Sequence, residues 1–101
     1  MLEHKLVYLD IDSKSVMRDA FSEIRGEVER ATSGPELTEL YNRAGYLIAI
    51  AYDSFWERKF ADDIVDIRYT ADQEFGRTAR RINHRAERLG LEGNYDEVWA
   101  D

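Results

Sequence analysis

Residues 45–52, Gly-Tyr-Leu-Ile-Ala-Ile-Ala-Tyr, carry seven apolar side chains in a row after the glycine. Seven residues are too few to cross a bilayer, which takes about 20. A run this long fits a buried strand or the middle of a buried helix, and the flanks decide between them. Leu37, Leu40, Ala44, Leu47, Ala51 and Phe55 recur three or four apart. Tyr41, Ile48, Tyr52, Trp56 and Phe60 form a second stripe. Two apolar stripes predict a helix covered over most of its circumference. Residues 35–61 are therefore expected to form a central helix around which the rest of the chain packs.

The segments on either side carry the same period. Val16, Met17, Ala20, Phe21, Ile24, Val28 and Ala31 predict a helix over 13–32, with Asp12 or Ser13 as its cap. Ser33-Gly-Pro-Glu36 reads as a capping box: Ser33 accepts from the amide of Glu36, and Glu36 reaches back to the amide of Ser33. Pro35 suits a first turn, where its missing amide has no partner to lose. Downstream, Ile64, Ile67, Ala71, Phe75, Ala79, Ile82, Ala86 and Leu89 keep the helical period over 63–89. Ala61-Asp62-Asp63 offers a cap for that helix, and Gly90-Leu91 a Schellman-type stop. A rival reading makes 64–69 a strand paired with 5–11, since Val65, Ile67 and Tyr69 alternate. The long helix is preferred because its apolar stripe passes Thr70 in phase. Gly26, Gly45 and Gly76 fall near one level of the folded bundle, where they would allow close helix contact. The expected fold is all-α: an antiparallel three-helix bundle in one domain, 1–101. An N-terminal arm or short helix lies on it, and residues 90–101 form an acidic tail.

The chain has no cysteine, which excludes disulfides, thiolate metal sites and thiol catalysis. That fits a reducing cytoplasm, as does a start, Met1-Leu-Glu-His-Lys, without the apolar segment of a secretory leader. The net charge of -7 opposes free binding to nucleic acid or anionic membrane. The charge is uneven, however. Residues 75–89 hold five arginines and one acid, whereas residues 90–101 hold four acids and no base.

Three constellations could carry function. Arg77, Arg81, His84 and Arg88 share one face of the third helix, opposite its apolar stripe, with Arg80 and Arg85 flanking them. Arginine without lysine suits bidentate contact with carboxylate or phosphate. Tyr52, Trp56 and Phe60, with Tyr41, Tyr46, Phe55 and Tyr69, form an aromatic group too large for a three-helix core to hide. Tyr and Trp, like Arg, dominate protein interfaces, and the group predicts self-association into a homodimer. The third constellation is acidic: Glu36-x-x-Glu39, then after 23 residues Asp63-x-x-Asp66.

This acidic spacing resembles that of the all-α nucleotide pyrophosphohydrolases of the MazG type, in which two helices present acidic pairs that hold magnesium. The resemblance covers four residues and has Asp for both acids of the second pair. It implies a metal-dependent nucleotide hydrolase. On one unbroken helix, Glu36 and Asp63 would stand about 40 Å apart at 1.5 Å per residue. His4 and His84 lack a second ligand at metal-binding spacing, and no nucleophile elbow or glycine-rich phosphate loop is present. The expected function is a small acidic, non-enzymatic protein-binding module without a cofactor. It would inhibit or regulate a larger enzyme or complex, as phage anti-CRISPR and DNA-mimic inhibitors do. The alternatives are the MazG-like hydrolase and nucleic-acid binding through the arginine-rich third helix.

Overall fold

Met17, Phe21, Ile24 and Val28 are almost fully withdrawn from solvent, and so are Leu37, Leu47 and Ala51, and Ile67, Ala71 and Ile82. These three sets belong to three helices that meet in one core. Burial of each large aliphatic side chain contributes about 1.5–3 kcal/mol. The computed structural model describes residues 13–59 and 61–95, apart from the side chains of Ser13, Phe55, Trp56 and Lys59. Its helices are α1 (Ser13–Val28), α2 (Gly34–Ala51), the short α3 (Ser54–Lys59) and α4 (Ile64–Arg88). The fold is all-α, with no strand among the described residues, and each long helix packs on the other two. Lys14 bonds Asp66 near the starts of α1 and α4, while Arg85 bonds the carbonyl of Ala31 near their ends. So α1 and α4 run parallel, and α2 runs antiparallel to both. The expected arm over residues 2–12 and the last six residues of the tail lie outside the described residues.

The local signals mostly act as their chemistry requires. Ser33 caps α2, its hydroxyl accepting from the amide of Glu36 at 3.4 Å. The Glu36 carboxylate reaches one residue further back than expected, accepting from the amide and hydroxyl of Thr32 and from the Ser33 hydroxyl. At the end of α4, Gly90 takes a φ of 76°, and the Leu91 and Gly90 amides donate to Ala86 and Glu87. That is the Schellman pattern. Residues 64–69 are helical, which removes the strand reading.

Four expectations need correction. The central helix is not continuous over 35–61: it stops at Ala51, and α3 starts at Ser54. The Tyr52 and Asp53 amides donate to Ala49 and Ile50, three residues back, and the Asp53 carbonyl accepts from Glu57 to open α3. Asp53-Ser54 is a pair of good helix starters, and the chain restarts there. Helix α1 ends at Val28 rather than near Thr32. Residues 30 and 31 tighten into bonds three residues back, which turns the Ala31 carbonyl to Arg85. The run 45–52 is covered on one side only, since Tyr46, Ala49 and Tyr52 are exposed. The level of close contact is also not met at all three glycines: a Cβ at Gly26 would meet open space, and one at Gly45 would make ordinary contact with Phe75. Asp63 occupies the N-cap position of α4 without a side-chain hydrogen bond.

Two arginines of α4 tie the turn after α1 and the end of α2. The last carbonyls of a helix lack partners within it. Arg85 Nε donates to the Ala31 carbonyl at 2.9 Å, and Arg68 Nε donates to the Ala51 carbonyl at 3.0 Å. The cations also oppose the negative ends of the helix dipoles, and α2 carries no basic residue in its own last turn.

Candidate functional site

The buried stripe Phe75, Ala79, Ile82 and Ala86 fixes the rotation of α4. Arg77, Arg81, His84 and Arg88 are thereby left exposed on the opposite side. They do not stand alone. A cleft of ≈ 270 Å³ is lined by Arg25, Arg77, Arg80, Arg81 and His84. Beside it, a cleft of ≈ 240 Å³ is lined by Glu29, Arg81, His84, Arg85 and Arg88. The two share Arg81 and His84, so they form one open groove between the end of α1 and the second half of α4. Glu29 is the one carboxylate among these lining residues.

Arg25 and Glu29 escaped the sequence reading. They flank the apolar positions Ile24 and Val28, and only the pairing of α1 with α4 brings them to the arginine face. Arg25 donates to Glu74 at 2.8 Å and to the Thr78 hydroxyl at 3.2 Å. Thr78 in turn donates to the Glu74 carbonyl. Glu74 and Thr78 are buried, so this triad fixes one wall of the groove. Arg77 reaches the other oxygen of Glu74 at a long 3.5 Å. Arg81 faces Glu29 at 3.4 Å, with both side chains about half exposed.

The aromatic group is split by the fold. Tyr41 turns inward, edge-on to Phe75 and against Tyr95, with ring centroids 5.5 and 5.0 Å away. Tyr52 lies at the other end of the bundle, exposed, with its hydroxyl donating to Asp72 and its ring 4.9 Å from the Arg68 guanidinium. Partial desolvation, then the bond to Asp72, raises the Tyr52 pKa above the ordinary phenol value. Tyr46, Val65 and Tyr69 are exposed on the surface. Phe60 and the Trp56 side chain lie outside the described residues, as does His4.

The acidic pairs are not brought together. Glu36 serves the α2 cap, and its bonds to Thr32 and Ser33 lower its pKa. Glu39 lies with Glu27, Leu40 and Arg43 around a cleft of ≈ 120 Å³ at the same end of the bundle. Asp63 and Asp66 lie at the opposite end, where Asp66 accepts from Lys14 at 2.7 Å. Among the described residues, no group of three or more His, Asp or Glu is placed to hold a metal ion. Nor, among those residues, is any helix long and apolar enough to cross a membrane.

No protein-family profile matches the chain, and no curated protein or solved structure matches it either.

Proposed function

We propose that this chain is a small cytoplasmic binding protein that docks an acidic surface of a protein partner in the arginine groove. By occupying that surface it inhibits or regulates a larger enzyme or complex. The observation that carries this reading is the groove itself. Six arginines and a histidine line it against one carboxylate, on a chain whose net charge is -7. The concentration of positive charge on one face steers an acidic partner there, while the acidic remainder repels long polyanions. A protein partner is therefore favoured over nucleic acid.

The test is affinity capture from native lysate with the wild-type chain and with the triple variant Arg77→Glu, Arg81→Glu, Arg88→Glu. The side chains are exposed, so reversal should leave the helical circular dichroism intact and cost about 0–1 kcal/mol per ion pair. The partner captured by the wild type should be lost, since interface arginines can contribute about 2 kcal/mol or more each. Equal recovery by the variant overturns the reading and leaves the arginines as a solvated face. A nucleic-acid partner would declare itself through steep salt dependence.

The exposed Tyr46, Tyr52, Val65 and Tyr69 support a second, separate contact, self-association into a homodimer. Light scattering over a wide concentration range tests it. A mass of 11.8 kDa throughout rules it out.

A further inference from the structure

We infer that the arginine groove receives an acidic helix of the partner, and that Glu29 holds the place of one of its carboxylates until that helix arrives. This rests on the docking reading above and adds the shape of the ligand and a built-in competitor.

The shape follows from spacing. Arg77, Arg81, His84 and Arg88 step by four, three and four residues along an unbroken helix. Their Cα positions therefore rise by about 6, 4.5 and 6 Å, or about 16.5 Å in all. A second helix with carboxylates at i, i+4, i+7 and i+11 repeats those steps, so four acids face four bases in register. The repeat is a heptad seam, which two helices follow together. On an extended segment, acids on one face recur about every 6.7 Å and reach about 20 Å over the same three steps. Such a segment runs out of register before Arg88. The groove also has two walls, with Arg25 of α1 across from the α4 row. The lining runs along α4 from Arg77 to Arg88, so a partner helix can lie against this face lengthwise.

The competitor follows from the Arg81–Glu29 pair. Arg81 is shared by both halves of the groove. Its contact with Glu29 is 3.4 Å long, and the side chains are 55% and 52% exposed. Such a pair is easily exchanged, unlike the short, buried Arg25–Glu74 pair that builds the wall. An incoming carboxylate can take the position of Glu29 on Arg81 without disturbing the fold.

The experiment uses two synthetic helical peptides of equal composition. One carries glutamates at i, i+4, i+7 and i+11, and the other carries the same glutamates distributed around the helix. Binding to the wild type is measured by calorimetry at moderate salt, and again with Glu29→Gln, Arg81→Glu and, as a control for general charge, Glu39→Gln on α2. The register peptide should bind the wild type at least 10-fold more tightly than the scrambled one. Glu29→Gln should tighten it a further 3- to 10-fold, and Glu39→Gln should change it less than 2-fold. Arg81→Glu should abolish binding. Equal binding of the two peptides, or equal effects of Glu29→Gln and Glu39→Gln, overturns the inference. If neither peptide binds, the inference also falls, and the docking reading is judged separately by the capture experiment. A single-stranded oligonucleotide that outcompetes the register peptide with steep salt dependence would overturn the inference and assign the groove to nucleic acid instead.

Discussion

Arg25 of α1 and Glu74 of α4 meet at 2.8 Å with side chains only 19% and 7% exposed. They are the most withdrawn of the ion pairs among the described residues, and they join α1 to α4. A buried carboxylate costs a large desolvation penalty unless it is paired. Here Arg25 supplies the partner, and the Thr78 hydroxyl accepts from Arg25 and donates to the Glu74 carbonyl, which ties the guanidinium to the α4 backbone.

Arg25→Met should therefore be strongly destabilising, by about 3 kcal/mol, because it leaves Glu74 with only the long contact to Arg77. Replacing both, as Arg25→Met with Glu74→Met, should recover most of that loss, since an apolar pair has no charge to desolvate. Urea unfolding of the two single variants and the double variant checks this. A double variant as unstable as the sum of the singles would show that packing, not the ion pair, dominates.

The two arginines of α4 that bond backbone carbonyls should act alike. Arg68→Leu removes a charged donor from the last carbonyl of α2, and Arg85→Leu removes one from the Ala31 carbonyl in the turn after α1. Each should cost about 1–2 kcal/mol in partly buried surroundings. They stand 17 residues apart on α4, roughly 25 Å along its axis, so their effects should add. Thermal unfolding of the singles and the double measures both quantities.

Asn83 and Tyr95 anchor the segment after α4. Asn83 donates to the Tyr95 carbonyl and accepts from the Tyr95 amide, at 2.8 and 2.9 Å. The Tyr95 hydroxyl pairs with that of Thr38 at 2.8 Å. Between them the chain passes so close that a Cβ at Gly93 would sit 2.9 Å from the Asn83 carbonyl oxygen. Gly93→Ala should release the segment, with a stability loss of about 1–3 kcal/mol from overpacking. Amide exchange at Tyr95 should rise in Gly93→Ala and in Asn83→Ala alike. Unchanged protection in both would show that the tilted ring contact with Tyr41 and the Thr38 hydroxyl hold the segment without Asn83.

Acid should loosen the α1–α2 end. The bidentate bond from Arg43, at 2.9 and 3.0 Å, lowers the Glu27 pKa, and the bonds from Thr32 and Ser33 lower that of Glu36. A carboxylate with a depressed folded pKa stabilises the fold fully above its unfolded value, near 4.5 for both groups. That contribution is lost as pH falls through the lower folded value. Stability should thus be flat in these two groups from neutrality to about pH 5 and fall below it. In Glu27→Gln with Glu36→Gln the fall below pH 5 should be shallower, as read from urea midpoints at pH 3–7.

What the sequence determined by itself was periodic and local. The 3.6-residue period named the buried faces of all three long helices, from Met17, Phe21 and Ile24 to Ile67, Phe75 and Ile82. Ser33 and Gly90 marked a start and a stop, because a hydroxyl cap and a left-handed turn act within a few residues. The exposed row Arg77, Arg81, His84 and Arg88 followed from the same period. The break at Tyr52 was written in Asp53-Ser54, but the continuing apolar stripes masked it. The tertiary structure decided the rest. Arg25 and Glu74 are 49 positions apart, and Arg85 and Ala31 are 54 apart. Glu29 and Arg81 are 52 apart. No local preference selects such partners. They meet because buried apolar faces fix the rotation and register of α1 against α4, and the polar groups along the rim then pair with whatever that register places opposite them.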